Sequence, residues 1–395
     1  HADGRHAPVH GSQLGARRHL ETSLEQLSHG DFAAMTFLLF AGGLLALVAG
    51  AFILVRGASL LALRLGLSPL VVGLTVVAFG TSAPELAVTT GAVLAGQGGL
   101  ALGNAVGSNI FNVLFILGVA ALITPLAVHR QVIRQEAPIM IGGAVLLIVL
   151  GLDGSLGLFD GSLLLGLLMA YTAFLVRQSR AEPAATGPDE YADTLQPAKA
   201  GRWDARLPAQ LGLIVAGLVL LVLGSDWLVQ AAVIFARALG LSEVIIGLTI
   251  VASGTSLPEV AASVVASLKG ERDIAVGNVV GSCVFNLFGV VGLGAVVAAV
   301  GTGAALPLPP DVARFDLWVM LAALVACLPV FLTGREIARW EGGLFLGYYV
   351  AYVAYLVLAA QRHDGVQAFG DAMLGFVVPL TIVTLGVTML RRAGR

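Results

Sequence analysis

Charged residues are scarce in this chain, and their scarcity argues against a soluble fold. Lysine, arginine, aspartate and glutamate make up 12% of the 395 residues, whereas hydrophobic residues make up 57%. A soluble protein carries about twice that charged fraction. The formal charge of −2 gives no indication of nucleic-acid binding. Cysteine is scarcer still: Cys283 and Cys327 both lie in apolar segments, which argues against a disulfide framework and favours buried, inert thiols.

The motifs of ATP-driven pumps and of enzymes are also missing from the sequence. It contains no nucleotide-binding loop, no nucleophile–base pair and no dinucleotide fingerprint. The histidines fall in predicted loops or in the N-terminal tail. The sequence therefore predicts neither an enzyme nor a cofactor.

Long apolar runs dominate what is present. Many reach 18 or more residues, enough to cross a bilayer core of about 30 Å, so we predict an all-α polytopic membrane protein. Residues 1–34 are predicted as a polar, disordered tail, 35–177 as a first five-helix repeat and 178–208 as a polar linker. Residues 209–361 are predicted as a second five-helix repeat, and 362–395 as an eleventh membrane helix with a short tail. The predicted helices cover 36–63, 69–96, 100–124, 136–152, 160–177, 209–238, 243–268, 273–300, 314–333, 343–361 and 369–390.

The second half of the chain repeats the first. Residues 66–118 match residues 240–292 at 26 of 53 positions without a gap. Five helices separate equivalent elements, and because five is odd, equivalent helices run in opposite directions through the membrane. This inverted-repeat arrangement is typical of secondary transporters, whose binding sites lie near the bilayer midplane between the repeats.

The distribution of basic residues predicts the orientation. With eleven crossings, six of the 22 lysines and arginines lie on one side of the membrane and 16 on the other. The positive-inside rule makes the second side cytoplasmic. We therefore expect a multi-pass protein of the cell (inner) membrane with its N-terminus outside and with the 178–208 linker and the C-terminus in the cytoplasm.

The strongest repeated motif is GTSAPE at 80–85 and GTSLPE at 254–259. Each copy places a glutamate, Glu85 or Glu259, inside a predicted membrane helix, where an ionisable side chain is costly and indicates a functional site. Pro84 and Pro258 each lack an N–H group and disturb the carbonyl four residues earlier. A proline-kinked helix capped by hydroxyl groups would explain the prolines. It would not explain a glutamate at the same place in both halves.

These motifs supply oxygen atoms. The candidate donors are the two carboxylates, the nearby hydroxyl groups and the backbone carbonyls that the prolines release. Ca²⁺ takes six to eight oxygen ligands, and two carboxylates neutralise one divalent ion. Neither cysteine nor histidine lies beside the glutamates, which argues against zinc or copper. The hydroxyl groups are those of Thr81, Ser82, Thr255 and Ser256, and the carbonyls are those near 77–80 and 251–254.

A second repeated block reads GNAVGSNIFN at 103–112 and GNVVGSCVFN at 277–286. Ser108 and Asn112 share a helix face, as do Ser282 and Asn286. Because both repeats retain an amide at this position, we predict that Asn112 and Asn286 face the ion pathway. Small-xxx-small spacing predicts close helix packing through Gly103, Gly107, Gly277 and Gly281. Asn104 and Asn278 lie near the predicted helix starts, where capping alone would explain them.

Together the two motif pairs resemble the α-repeats of the calcium/cation antiporter superfamily, in its prokaryotic sodium/calcium exchanger branch. The resemblance covers about residues 36–361. It implies a ten-helix antiporter that exchanges Ca²⁺ for Na⁺, or for H⁺ in a sister branch, by alternating access. The expected partners are the lipid bilayer and the transported ions Ca²⁺ and Na⁺, and nothing in the sequence indicates an obligate protein partner.

The resemblance also implies roles for individual residues. Glu85 and Glu259 would be the central Ca²⁺ ligands and would also contact Na⁺. Asn112 and Asn286 would lie at the centre of the site. The remaining ligands would be Thr81, Thr255 and the carbonyls of Ala78 and Ala252 at the calcium and flanking sodium sites, with Ser82, Ser108, Ser256 and Ser282 lining the sodium sites.

The sequence departs from the family pattern at several positions. Relatives often have aspartate at one of the two central positions, whereas this chain has Asn112 and Asn286. Cys283 stands in place of an asparagine, and the eleventh helix is additional. Proton dependence and counter-ion stoichiometry are therefore open. The alternatives are a Ca²⁺/H⁺ or K⁺-dependent antiporter of the same superfamily, a cation channel, and an intramembrane hydrolase.

Overall fold

A computed structural model describes residues 29–181, 206–239, 252–332 and 334–393. In this part of the chain nine helices are long and apolar enough to cross a membrane, and one bent pair forms a tenth span. The first repeat consists of α1 (His29–Leu65), α2 (Pro69–Thr81), α3 (Ala83–Leu94), α4 (Gly98–Ile123), α5 (Val132–Asp153) and α6 (Leu158–Ala181). The remainder consists of α7 (Leu207–Ala238), α8 (Ala252–Gly254), α9 (Leu257–Leu268), α10 (Arg272–Thr302), α11 (Val312–Leu332), α12 (Arg339–Ala360) and α13, which runs from Gly365 to Ala393.

The helical membrane architecture is confirmed, with some changes at the boundaries. Helix α1 begins at His29, inside the predicted tail, because extending an existing helix by a turn costs little once it has nucleated. The tail prediction for 1–28, most of the linker prediction and the upstream part of the 243–268 helix lie outside the described residues. Both cysteines are buried and free, as predicted.

Four short strands, absent from the prediction, lie in the loops: β1 (Leu126–Ala127), β2 (Ser155–Leu156), β3 (Leu306–Pro307) and β4 (Glu336–Ile337). Strand β1 pairs with β4 and β2 pairs with β3, both antiparallel. Helix α5 separates β1 from β2, so the two pairs lie at opposite membrane faces. Because β1 and β3 follow the equivalent helices α4 and α10, they would share a face if the repeats were parallel. Their separation shows that the repeats are inverted.

Helices α1 and α7 pack against each other along their length as an antiparallel pair. A Cβ atom added at Gly217 would lie 2.6 Å from the Leu54 nitrogen, and one added at Gly43 would lie 2.9 Å from the Gly224 carbonyl oxygen. Glycine is required at such positions because any side chain would push the backbones apart. Among the long spans of the described residues, α4 and α10 are the most deeply buried.

Two further acidic side chains inside membrane helices pair with tyrosines. Glu136 of α5 accepts a hydrogen bond of 2.6 Å from Tyr171 of α6. Asp316 of α11 accepts one of 2.9 Å from Tyr352 of α12. These are equivalent pairs in the two repeats, and they join neighbouring helices. They explain two of the intramembrane carboxylates without a ligand.

Candidate cation-binding site

The site lies where each repeat breaks a membrane helix. Helix α2 ends at Thr81, and α3 begins at Ala83 after a bend of 41°. Ser82 lies at the break with φ −82° and ψ 6°, and Ser256 occupies the equivalent place with φ −91° and ψ 8°. Pro84 and Pro258 then lie in the first turn of the next helix, where a missing N–H group costs nothing.

Each glutamate follows its proline and therefore lies in the first turn of α3 or α9. The N-terminal end of a helix favours a negative charge, which helps to keep a carboxylate at this depth. Both side chains are 0% exposed to the surface. Neither faces lipid, as the sequence prediction required.

The two motifs meet through hydrogen bonds between the repeats. The Ser256 hydroxyl donates to Glu85 Oε1 at 2.7 Å, and the Ser82 hydroxyl donates to Glu259 Oε1 at 3.0 Å. Ser256 Oγ also lies 3.3 Å from the Ser108 hydroxyl oxygen. Glutamates that are 174 positions apart therefore contribute to one polar cluster.

Several polar atoms in this cluster have no hydrogen-bond partner within the protein. Buried polar atoms are nearly always satisfied, so such a concentration indicates a ligand. Carboxylate, amide and hydroxyl oxygens are the ligands that hard cations prefer. In the described part of the chain no three His, Cys, Asp or Glu side chains come together to hold a metal, so neutral oxygens must supply the rest of any cation's shell. The unpartnered atoms are Glu85 Oε2, Glu259 Oε2, Ser282 Oγ and both amide atoms of Asn112 and of Asn286.

Asn112 and Asn286 lie in helical turns that are wider than α-helical. The π-helical segment Phe111–Leu117 interrupts α4, and Asn286–Val290 interrupts α10. Segments of this kind are often found at functional sites because they redirect side chains and loosen the backbone ladder. The sequence predicts both amides at the site but gives no indication of the wide turns.

The carbonyl prediction is only partly correct. The Ala78 carbonyl keeps its helical partner, the Ser82 N–H at 3.0 Å, and also accepts a 3.4 Å bond from the Thr81 hydroxyl. It is not released, because the missing N–H of Pro84 affects Gly80 alone. Ala252 begins α8 directly before the second motif, and a ligand role for its carbonyl stays a prediction.

Comparison with known proteins places this geometry in a family. The sequence profile described as sodium/calcium exchanger protein matches residues 35–177 and 209–358. The chain belongs to the sodium/calcium exchanger family. Its members are transporters, so the protein is a membrane antiporter for cations and not an enzyme.

Individual members of the exchanger family are similar over most of their length. The sodium/calcium exchanger MaX1 of Methanosarcina acetivorans is 34% identical over 354 residues, which are 82% of this chain and 98% of that protein. The putative antiporter CaxA of Alkalimonas amylolytica is 39% identical over 72% of this chain and 86% of its own. A solved structure of the sodium-calcium exchanger NCX_Mj superposes with a TM-score of 0.68 at 29% identity, covering 81% of this chain and 98% of that one.

Asn104 and Asn278 contact residues of the candidate site, and helix capping does not explain them. Helices α4 and α10 begin six residues before Asn104 and Asn278, at Gly98 and Arg272. The Asn278 oxygen accepts a 3.1 Å bond from the Thr81 hydroxyl, and its amide nitrogen lies 3.4 Å from the Glu259 carbonyl oxygen.

Asn104 repeats the arrangement. Its oxygen accepts from Thr255 at 3.4 Å, and its nitrogen donates to the Glu85 carbonyl at 3.4 Å. The sequence does contain a signal for these contacts: Asn104 and Asn278 are 174 residues apart, as are Glu85 and Glu259.

Helix α7 covers both helix breaks, which the sequence did not predict. The Ser225 hydroxyl donates to the Gly254 carbonyl at 2.6 Å, so it satisfies the group that Pro258 deprives of a helical partner. A Cβ atom added at Gly80 would lie 2.5 Å from Leu218 Cδ1, so the Leu218 side chain packs directly against Gly80. The residue of α1 equivalent to Ser225 is an alanine, so the two breaks are not covered identically.

Replacing Asn104 or Asn278 with alanine is expected to raise the KM for Ca²⁺ about tenfold. Each change removes an acceptor from Thr255 or Thr81 and a donor from a glutamate backbone carbonyl, and each lost bond is worth about 1 kcal/mol. Initial rates of ⁴⁵Ca²⁺ uptake against Ca²⁺ concentration measure the effect. Asn109→Ala is the matched control, because Asn109 is a buried asparagine of the same helix α4 that bonds instead to Ala105 and Met320. An equal KM change in the control would contradict the assignment.

Proposed function

We propose that this antiporter exchanges Ca²⁺ for Na⁺ through the site between the two broken helices. The observation that carries the proposal is the pair of hydroxyl–carboxylate bonds between repeats, Ser256 to Glu85 and Ser82 to Glu259. They bring both carboxylates into one buried cluster. Two negative charges match one Ca²⁺, and the surrounding hydroxyl and amide oxygens suit either Ca²⁺ or Na⁺.

The mechanism we propose is competition followed by alternating access. Either one Ca²⁺ or several Na⁺ would neutralise Glu85 and Glu259, and the loaded site could then change sides without carrying unpaired charge through the membrane. Helices α1 and α7 would slide together past the site, because they pack on each other more extensively than on any other helix. In the cell this would move Ca²⁺ outward as Na⁺ flows inward.

The two central amides favour Na⁺ over H⁺ as the counter-ion. An acidic residue at position 112 or 286 would provide a third titratable group, but this chain has asparagine at both positions. An amide does not bind or release a proton at neutral pH, whereas its oxygen can coordinate Na⁺. A Ca²⁺/H⁺ antiporter, the second candidate, would have to move protons on the two glutamates alone.

The orientation predicted from the basic residues is also part of this proposal. The N-terminus would face outward, and the linker between the repeats and the C-terminus would face the cytoplasm. The strand pairs support the assignment of loops to faces, since β1 and β4 lie in loops predicted on the cytoplasmic side and β2 and β3 in loops predicted outside. The membrane would be the cell (inner) membrane.

Counter-ion replacement in proteoliposomes tests the proposal. Vesicles loaded with Na⁺ and diluted into Na⁺-free medium with ⁴⁵Ca²⁺ are expected to accumulate the isotope, whereas K⁺-loaded vesicles and a pH gradient without Na⁺ are not. Vesicles without protein give the background. Uptake driven by the pH gradient in Na⁺-free medium would refute Na⁺ coupling, and steady leakage of ⁴⁵Ca²⁺ without any counter-ion would indicate a channel.

A further inference from the structure

The helix that follows each break is covered differently in the two repeats. In the second repeat α9 packs against α1 and α7, whereas in the described part of the first repeat α3 has no comparable contact with either helix. Equivalent side chains show the difference: Ala262 of α9 is 1% exposed, and Val88 of α3 is 40% exposed. Val265 is likewise buried, while its equivalent, Gly91, is exposed. One face of α3 is therefore uncovered, and the same face of α9 is not.

The uncovered and the covered face belong to opposite sides of the membrane. Helix α3 ends at Leu94, and a Cβ atom added at Gly98, the first residue of α4, would lie 2.7 Å from the Pro307 side chain of β3. The uncovered face is therefore on the side that carries the β2–β3 pair. Because the repeats are inverted, α9 ends at the side that carries the β1–β4 pair, and there α1 covers it. The protein is closed at the β1–β4 side and uncovered beside α3 at the β2–β3 side.

One lysine joins α1 to the core at the closed side. Lys269, in the turn between α9 and α10, donates from Nζ to the Phe52 carbonyl of α1 at 3.1 Å, and the same nitrogen lies 4.5 Å from the centre of the Phe52 ring. The two contacts connect the same residues, so they form and break together. The equivalent residues at the other side are Ala95 and Asp226, an alanine and an acid that can make neither contact. The inverted repeats therefore share their helices but not this connection.

We propose that the Lys269–Phe52 contact is a latch, which stabilises the state closed at the β1–β4 side, the predicted cytoplasmic side. The proposal rests on the exchange mechanism above, in which α1 and α7 slide together past the site. Opening at the β1–β4 side requires α1 to leave α9, so both contacts of Lys269 must break. Closing the β2–β3 side then brings α7 onto the uncovered face of α3, where Ala95 and Asp226 form no latch. The two access states consequently differ in energy, and the protein without bound cations favours the one closed to the cytoplasm.

Labelling of an introduced cysteine tests the latch without depending on which ions are exchanged. Ala262 lies in the same buried cluster as side chains of α1, so a thiol in the Ala262→Cys variant becomes accessible only when α1 leaves α9. Vesicles that expose the β1–β4 side are treated with a membrane-impermeant maleimide, and the labelling rate follows the fraction of molecules that are open at that side. In this background Lys269→Met should raise the rate about tenfold, because it removes a hydrogen bond and a cation–π contact.

Two further variants separate the contributions of the ring and the charge. Phe52→Leu removes the ring and leaves Lys269 with its charged neighbours Arg56 and Glu271, so it should raise the labelling rate about threefold. Lys269→Arg retains a cation that can donate to the Phe52 carbonyl and contact the ring, and it should leave the rate unchanged.

The matched control is Arg339→Met. Arg339 is a basic residue at the same side that also donates to a backbone carbonyl, that of Ile123 at 3.4 Å, but the helices it joins are α12 and α4. This variant should label at the rate of the unmodified latch. The latch variants without the introduced cysteine should stay unlabelled, because Cys283 and Cys327 are both buried.

The outcomes separate the latch from the proposed exchange. A labelling rate that Lys269→Met does not change, or that Arg339→Met raises equally, would overturn the latch even in a protein that exchanges Ca²⁺ for Na⁺. Labelling of the variants that lack the introduced cysteine would show that the whole fold loosens and would overturn it as well. A protein with the expected labelling changes but no Na⁺-driven ⁴⁵Ca²⁺ uptake would retain the latch and refute the counter-ion assignment.

Discussion

Replacing Glu259 with glutamine is expected to abolish Na⁺-driven ⁴⁵Ca²⁺ uptake, with the rate falling more than about 100-fold. The side chain keeps its size, so the loss would come from charge. A single carboxylate cannot neutralise Ca²⁺, and a doubly charged ion with one unpaired charge is very costly at 0% exposure. Uptake by the Glu85→Gln variant should fall as far, because each carboxylate accepts one hydrogen bond from a serine of the other repeat, Glu85 from Ser256 and Glu259 from Ser82.

Glu136→Gln provides the matched control for both variants. Glu136 is another fully buried glutamate, but its oxygens accept bonds from Tyr171, Gln131 and Gln135. Its loss of charge should affect stability and leave uptake within a few-fold of the unmodified protein. Uptake that persists in either Glu85→Gln or Glu259→Gln would show that the cation is held elsewhere, and an equal loss in Glu136→Gln would remove the argument from charge.

Gly217→Ala is expected to lower the Tm by several degrees and to reduce uptake strongly. The added Cβ would lie 2.6 Å from the Leu54 nitrogen, so α1 and α7 must separate. Overpacking of this kind costs about 1–3 kcal/mol, and here it also displaces Leu218 and Ser225, which cover the two helix breaks.

Gly212→Ala on the same helix is the comparison, because a Cβ at Gly212 meets nothing within 4 Å. Alanine has the higher helix propensity by about 1 kcal/mol, so this variant should be as stable as the original or slightly more stable. Thermal unfolding in detergent and ⁴⁵Ca²⁺ uptake measure both variants. Equal Tm values for the two would contradict the close packing of α1 on α7.

The sequence was sufficient to predict the paired glutamates and the inverted repeats. Both predictions depend on the offset of 174 residues and on the odd number of helices between equivalent positions. The contacts between the motifs were not predictable in the same way. Whether Ser82 bonds to Glu259 or to its own glutamate depends on how two distant helix breaks are arranged in space, and spacing within one motif cannot determine this.

The features that the sequence missed share a physical cause. Strands of two residues are too short to show an alternating pattern, so β1 to β4 had no signal. Asn104 was compatible with a cap only because it lies within about one turn of the predicted helix start at 100; the helix begins at Gly98, and helix boundaries are the least reliable part of a prediction. Ser225 contacts the site from a helix whose counterpart has no matching hydroxyl, so no repeated residue in the sequence indicates its role.

The exchanged strand pairs have a consequence for the origin of this architecture. Each half supplies one strand to a pair at either face, and α1 packs along α7 of the other half. Neither half therefore forms a self-contained packing unit. An ancestral gene encoding only one half would have needed two copies inserted in opposite orientations, and these would have had to interlock as a homodimer before fusion made the pairing permanent.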